Sequence, residues 1–366
     1  MGGTIVRRPP LRQVQIGERM VKTYRAALWM AGWLVTTLAM TLAGRELATV
    51  LPVFVVMIMR SGIALLLLSP IVFLWYRGNP VRTRGLPMHL ARNLIHYAGQ
   101  FCWFLALALI PIAQVIAIEF TLPLWTALLA AAFLGEKLNA SRIGAVVLGL
   151  CGILLIMGPG VGSFSAGQAV ALAAAMLLGS AIILTKSLTR TDSPLTIIFY
   201  MFFIQTVIGL PIAISVWQWP PQHLWPWVLV VGIAGGLSHF CLAKAISLAD
   251  ATVVVPMDFL RVPLSALAGW LLYDEGVNIW LALGSALILA GNAVNLWRAA
   301  SNQRRRLNSG QRPEQPEHED HDQYQADDAA EPATAIAAIT PAAAAEQQHQ
   351  EDDDKKSGCR HVSSPS

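Results

Sequence analysis

Apolar residues fall in long unbroken runs along this chain, not in the alternating or one-faced patterns of a soluble domain. Ten runs reach membrane-spanning length: 26–44, 50–75, 88–110, 112–134, 142–159, 167–187, 194–217, 224–248, 251–272 and 278–297. About 20 helical residues cross a hydrocarbon core of about 30 Å. Backbone groups inside that core must be satisfied within the segment, which a helix does by itself. The pattern therefore predicts an all-α integral membrane protein with ten transmembrane helices. The third and fourth runs meet at Pro111, and the eighth and ninth at Asp250, with almost no loop between them.

The basic residues supply an orientation. Lys and Arg collect on the cytoplasmic side of membrane proteins. With the N-terminus inside, the inner loops and helix ends carry Arg77, Arg82, Arg84, Arg92, Lys137, Arg142, Lys186, Arg190 and Arg298, beside six basic residues in the first 25; the outer loops carry Arg45 alone. An odd number of spans would put Arg304–Arg306 on the wrong side. Both termini are thus expected in the cytoplasm. Trp217, Trp219, Trp225 and Trp227 fall where an interfacial aromatic belt belongs.

A repeat runs through the ten. Shifting the sequence by 139 residues without a gap lays helices 3–5 on helices 8–10. It pairs Phe101 with Phe240, Cys102 with Cys241, Phe120 with Phe259, Glu136 with Glu275, Asn139 with Asn278 and Gly152 with Gly291, and it sets Glu119 on Asp258. Five helices is an odd number, so the second copy crosses the membrane upside down. Inverted repeats of this kind characterise secondary transporters that alternate access around a central site. The expected organisation is a basic N-terminus over 1–25, two five-helix repeats over 26–159 and 160–298, and a disordered tail over 299–366.

Composition agrees. The 366 residues are 55% hydrophobic and 13% charged, against about a quarter charged in soluble domains. The net charge of +4 is unevenly spread: seven basic and thirteen acidic residues follow position 300, which leaves nineteen basic and nine acidic before it. The tail, rich in Ala, Pro, Gln, Glu and Asp, has too few large apolar residues to fold. This distribution excludes a nucleic-acid partner. Cys102, Cys151 and Cys241 lie in apolar helices, and nothing in their spacing implies a disulfide framework, a metal or a cofactor. There is no P-loop and no hydrolase or metalloprotease motif, so energy for any transport would come from a gradient.

The informative residues are ionisable groups far from helix ends. Arg60, Glu119, Lys244, Asp258 and Arg261 would each cost about 2.5–3.5 kcal/mol at a helix centre facing lipid, so they must face the bundle interior. Glu119 and Asp258 are each seven residues, about 10 Å, from opposite membrane faces, and so bracket the midplane. Asp258 and Arg261, spaced i,i+3, can pair, and Arg60 can pair with Glu119 or with backbone carbonyls. His96 and Gln100 share a face of helix 3, and Gln100 aligns with His239. Two readings compete for these groups: ion pairs and core hydrogen bonds that fix helices, or a polar cavity for a solute. In the second reading Arg60, His96, Gln100, Glu119, His239, Asp258 and Arg261 bind the solute or carry coupling protons. Lys244 is close enough to a helix end to snorkel. Pro123, Pro256 and Pro263 interrupt the two acidic helices.

At this point the residues resemble a known family. Ten helices in a five-plus-five repeat, Arg60 in helix 2, the stretch Leu109-Ile110-Pro111 to Pro123 and then Gly135-Glu136-Lys137-Leu138 look like the EamA type of the drug/metabolite transporter superfamily. The second copy, from Ala249-Asp250-Ala251 through Pro256 to Glu275 with a closing Gly291, resembles it too. The resemblance covers about residues 26–298. It implies an inner-membrane carrier of small organic molecules, commonly an exporter of amino acids or related metabolites, with some relatives importing S-adenosylmethionine or vitamins. The expected function is therefore secondary transport of an amino acid or related zwitterion or anion, by export; the alternative is import of a nucleoside-like or vitamin-like metabolite. A passive channel fits less well because there is no ring of charges, and an intramembrane enzyme using His96 and His239 with Glu119 or Asp258 fits less well because clustered catalytic motifs are missing; a silent scaffold whose tail recruits partners is a minor alternative. The expected partners are a metabolite and the bilayer, and a homodimer is compatible with the sequence.

Overall fold

A computed structural model describes residues 11–79, 81–134, 140–157, 165–248, 257–276 and 278–308. Glu136, Asn139, Asp250, Pro256 and the acidic tail beyond 308 lie outside the described residues. Regular structure among those described is entirely helical: α1 (Leu11–Ala48), α2 (Val53–Trp75), α3 (Leu86–Leu109), α4 (Ile112–Glu119), α5 (Leu122–Leu134), α6 (Ala140–Met157), α7 (Ala166–Leu188), α8 (Pro194–Ser215), α9 (Trp225–Leu248), α10 (Arg261–Tyr273) and α11 (Ile279–Asn308), with a 3-10 turn at Gln222–Leu224. Among the described residues six segments are long and apolar enough to cross a membrane: Tyr24–Ala48, Val53–Trp75, Ile112–Leu129, Ala166–Leu188, Pro194–Ser215 and Gln222–Leu242. The helix α3 is absent from these six although it has the length, because His89, Arg92, Asn93, His96 and Gln100 dilute its apolar content.

Two boundaries differ from the sequence expectation. The basic N-terminal segment is helical from Leu11, and α11 runs on to Asn308, so the tail expected to begin at 299 starts inside a helix. Arg, Gln and Leu extend that helix readily, and basic residues suit its C-terminal end.

Local chemistry explains the starts and breaks. Ser165 caps α7 by accepting the Gln168 N–H, while the Gln168 side chain accepts the Ser165 N–H, a reciprocal capping box. Ser193 caps α8 ahead of Pro194. Ile110, the residue before Pro111, swings to φ −137°, ψ 164°, as a pre-proline position prefers, and separates α3 from α4. The run expected as one helix over 112–134 is broken as well. The Pro123 ring would clash with the Glu119 carbonyl in a continuous helix, so α4 stops at Glu119 and α5 restarts at Leu122. The released Phe120 carbonyl accepts a hydrogen bond from Asn292 Nδ2 at 2.8 Å.

The break at Pro111 is clamped from the other half of the chain. Arg45, at the end of α1, donates to the Leu107 and Ile110 carbonyls and pairs with Glu275 at 2.9 Å, and Glu275 Oε2 accepts the Ile112 N–H at 2.9 Å. Glu275→Ala leaves that N–H and the guanidinium short of a partner, which costs about 1–3 kcal/mol. Its melting temperature in detergent is expected to fall, and Glu275→Gln, which keeps an acceptor, to fall less. Equal melting of Glu275→Ala and wild type would show the clamp to be energetically idle.

Helices pair mainly across the two halves. The helix α1 packs along α9, α3 along α7, α2 against α8 and α9, and α6 along α11, while α10 lies on α4. The pairs α1–α9 and α3–α7 exchange under the 139-residue shift. That offset also relates the bounds of α3 to α9 and of α5 to α10, and the starts of α6 and α11. The α6–α11 crossing is a glycine contact: a Cβ on Gly284 would sit 2.5 Å from the Gly152 carbonyl, and one on Gly291 would sit 3.2 Å from the Ala145 carbonyl. Close backbone approach through small residues drives helix association in lipid.

Candidate functional site

The ends of the broken helices carry the acids. Glu119 is the last residue of α4, and Asp258 precedes a turn at Phe259–Leu260 from which α10 starts with Arg261. Stopping a helix there frees the side chain to point along the break. Arg261 lies between the two acids: Nη1 donates to Glu119 Oε1 at 2.8 Å, and Nε lies 3.3 Å from Asp258 Oδ1. The Asp258–Arg261 pair expected along one helix face is thus made across a turn, and it extends to the acid of the first half.

Aromatic groups complete this centre. Trp33 Nε1 on α1 donates to Asp258 Oδ1 at 2.7 Å, and Trp103 Nε1 on α3 donates to Glu119 Oε2 at 2.8 Å. The Arg261 guanidinium carbon sits 4.8 Å from the Phe120 ring centroid, and Phe120 meets its repeat counterpart Phe259 edge-on. Such stacking suits guanidinium, which is weakly hydrated and planar. Two carboxylates against one guanidinium give the centre a formal charge of −1.

Arg60 belongs to a second centre. Its Nη1 donates to Gln100 Oε1 at 3.0 Å, its guanidinium lies 5.7 Å from the Phe202 ring centroid, and it does not pair with Glu119. His96 Nδ1 is 2.8 Å from Gln205 Nε2, and His239 packs edge-on to Phe202. Of the seven residues expected at the site, Glu119, Asp258 and Arg261 meet in the first centre, and Arg60, His96, Gln100 and His239 gather around Phe202 and Gln205. Among the described residues no group of His, Cys, Asp and Glu could hold a metal ion.

Residues 25–158 and 165–297 match the EamA-like transporter family, once in each half. The chain belongs to that family. A riboflavin transporter of Vibrio cholerae is 30% identical over 70% of this chain and 87% of its own length. An S-adenosylmethionine uptake transporter of Rickettsia bellii is 27% identical over 74% and 92%, and the pseudopaline exporter CntI of Pseudomonas aeruginosa 26% over 67% and 86%. A protein of known crystal structure shares the fold at a TM-score of 0.52 and 23% identity, covering 77% of this chain and 98% of that one. The chain is thus a multi-pass membrane protein of the drug/metabolite transporter superfamily.

Within this EamA-like bundle α3 organises the interior. Its positions 89, 92, 96, 100 and 103 recur every three or four residues and so share a face. From one end to the other His89 lies 3.5 Å from Asp192, Arg92 donates to Thr185, His96 meets Gln205, Gln100 meets Arg60 and Trp103 meets Glu119. The last turn offers Leu107 O, and the extended residue after it Ile110 O, to Arg45. The counterpart helix α9 carries Val228, Val231, Gly235, His239 and Leu242 at the matching positions, so one repeat is polar along this line and the other is nearly bare. Sequence reasoning singled out the acids, Arg60 and the histidines but missed Trp33, Trp103 and Gln205. The spacing of the polar positions in α3 was the available signal; nothing comparable marked the tryptophans.

Proposed function

We propose that the chain is a secondary transporter of a small organic metabolite, working by alternating access around a central polar cavity walled by both halves. The observation that carries this reading is the Glu119–Arg261–Asp258 bridge, in which one guanidinium joins acids from the two halves at the ends of broken helices. A bridge of this kind changes partners cheaply: the charge stays in a shielded site while a solute or a proton substitutes for one contact. Ten spans, an inverted second repeat, cytoplasmic termini and an inner-membrane location complete the proposal, supported by the basic-residue distribution and by the cross-half pairing of helices. The substrate class is an amino acid or related zwitterion or anion, moved by export. Relatives named for S-adenosylmethionine uptake and riboflavin transport favour a second reading, import of a nucleoside-like or vitamin-like solute.

Metabolite profiling tests this. Cells expressing the wild type are compared with cells expressing Glu119→Gln/Asp258→Asn at matched membrane abundance. One or two metabolites are expected to shift between medium and cytoplasm with the intact acids only, and the sign of the shift gives the direction. No shift in either strain would overturn transport.

A further inference from the structure

Three guanidinium groups are buried among the described residues: Arg60, Arg92 and Arg261. Arg261 is bridged by two carboxylates. Arg92 gives Nε to Thr185 and Nη1 to Asn93, and it lies beside His89, which faces Asp192. Arg60, 2% exposed, is like Arg92 in that, among the described residues, no carboxylate lies within salt-bridge distance, and it differs from Arg92 in that its Nε has no hydrogen-bond partner. A buried cation without a counter-ion is costly, and so is a buried N–H without an acceptor.

Its surroundings are unsatisfied in the same way. Tyr97 Oη, Gln205 Oε1 and Thr206 Oγ1 are likewise buried without partners. Phe202, Gln205, Thr206 and Gly209 lie on one face of α8, with Phe202 against the Arg60 guanidinium and Gly209 against Tyr97. Two glycines admit these side chains by close approach: a Cβ on Gly235 would lie 2.9 Å from Arg60 Nε, and one on Gly209 would lie 2.7 Å from Tyr97 Oη. Three unpaired donors, Arg60 Nε, Tyr97 Oη and Thr206 Oγ1, and one unpaired acceptor, Gln205 Oε1, are thus buried on α2, α3 and α8 with no carboxylate beside the guanidinium among the described residues.

We infer that the Arg60 site is the subsite for a carboxylate of the transported solute, with the Tyr97 and Thr206 hydroxyls as further donors, and that the solute's cationic end goes to the net-negative Glu119–Arg261–Asp258 centre. This inference rests on the transport reading. The helix α3 fixes the spacing: Gln100 anchors Arg60 and Trp103 anchors Glu119, three residues or about 5 Å apart along the axis. A small zwitterion spans that distance with one pole at each centre. An uncharged ring system such as riboflavin supplies no counter-ion for Arg60, whereas S-adenosylmethionine carries both poles.

Counterflow in proteoliposomes of the full chain separates these cases. The probes are S-adenosylmethionine, riboflavin and any solute that profiling identifies, each carboxylate compared with its methyl ester. The expected result is exchange of a carboxylate solute at least about tenfold faster than its ester, the loss that goes with a charge-assisted hydrogen bond. Arg60→Gln is expected to abolish the preference for acid over ester, and Arg60→Lys to retain part of it. The ester comparison on wild type needs no variant, so a folding failure of Arg60→Gln does not remove the test. Equal exchange of acid and ester, or exchange of riboflavin alone, overturns the subsite and leaves transport standing. No exchange of any probe or profiled solute overturns transport and the subsite together.

Discussion

Arg261→Gln is expected to lower the melting temperature more than any other single change at the two polar centres. The substitution leaves Glu119 and Asp258 facing each other with no cation between them, at side-chain exposures of 15% and 22%. Removing one partner of a buried ion pair costs about 3–5 kcal/mol, most of it the penalty of the charge left behind. Arg261→Lys keeps the charge but loses the fork that reaches both acids, and falls in between. The triple variant Glu119→Gln/Arg261→Gln/Asp258→Asn removes all three charges and is expected to regain most of the lost stability, because neutral groups of similar shape avoid the desolvation cost. It is not expected to regain transport. Tryptophan fluorescence during heating in detergent reports the change directly, since Trp33 and Trp103 donate to the two acids. If Arg261→Gln melts with the wild type, the acids are solvated and the bridge is not what holds α4, α10 and α1 together.

The second large effect lies away from the polar centres. A Cβ on Gly284 would meet the Gly152 carbonyl at 2.5 Å and the Ile156 nitrogen at 3.0 Å, and a Cβ on Gly152 would meet the Gly284 carbonyl at 2.7 Å. These are backbone atoms on facing helices, so neither side can yield by turning a rotamer. Gly284→Ala must push α6 and α11 apart, at about 1–3 kcal/mol by the usual cost of overpacking; Gly284→Leu is expected not to accumulate in the membrane. Gly144, on the same α6, has nothing within 4 Å of its would-be Cβ, and Gly144→Ala is expected to be neutral or to stabilise by helix propensity. Membrane abundance and melting temperature of the two alanine variants decide the matter. If they behave alike, the α6–α11 contact is not limiting.

Much of this was legible in the chain itself. Acids and an arginine deep in apolar runs can only be interior groups, and the structure gathers Glu119, Asp258 and Arg261 within hydrogen-bonding range. The ungapped 139-residue shift anticipated helix bounds that recur in α3 and α9 and in α5 and α10. What could not be read was partner choice. Arg60 was as free to reach Glu119 as Gln100 until the helices were placed side by side, and it took Gln100. Trp33 and Trp103 were lost among apolar neighbours because an indole reads as core or as interface belt until an acceptor stands opposite. Arg45 read as a single outer charge, whereas it holds the Pro111 break together with Glu275, a residue of the other half. The break at Phe120–Thr121 was hidden for a related reason: Pro123 marks a disturbance, but whether the helix bends or stops depends on what receives the released carbonyl, here Asn292.

Pairing between distant halves also sets a timetable for making the protein. Glu119 and Arg261 are 142 residues apart, and ribosomes deliver about 5–20 residues per second, so the first acid waits about 7–30 s for its cation after it is synthesised. The main packing partners of α1 and α6, the helices α9 and α11, arrive late as well. Throughout that interval the nascent first half holds a carboxyl group without its guanidinium partner and a glycine face of α6 without its facing helix. These cross-half contacts can therefore be completed only after the last helix has been synthesised.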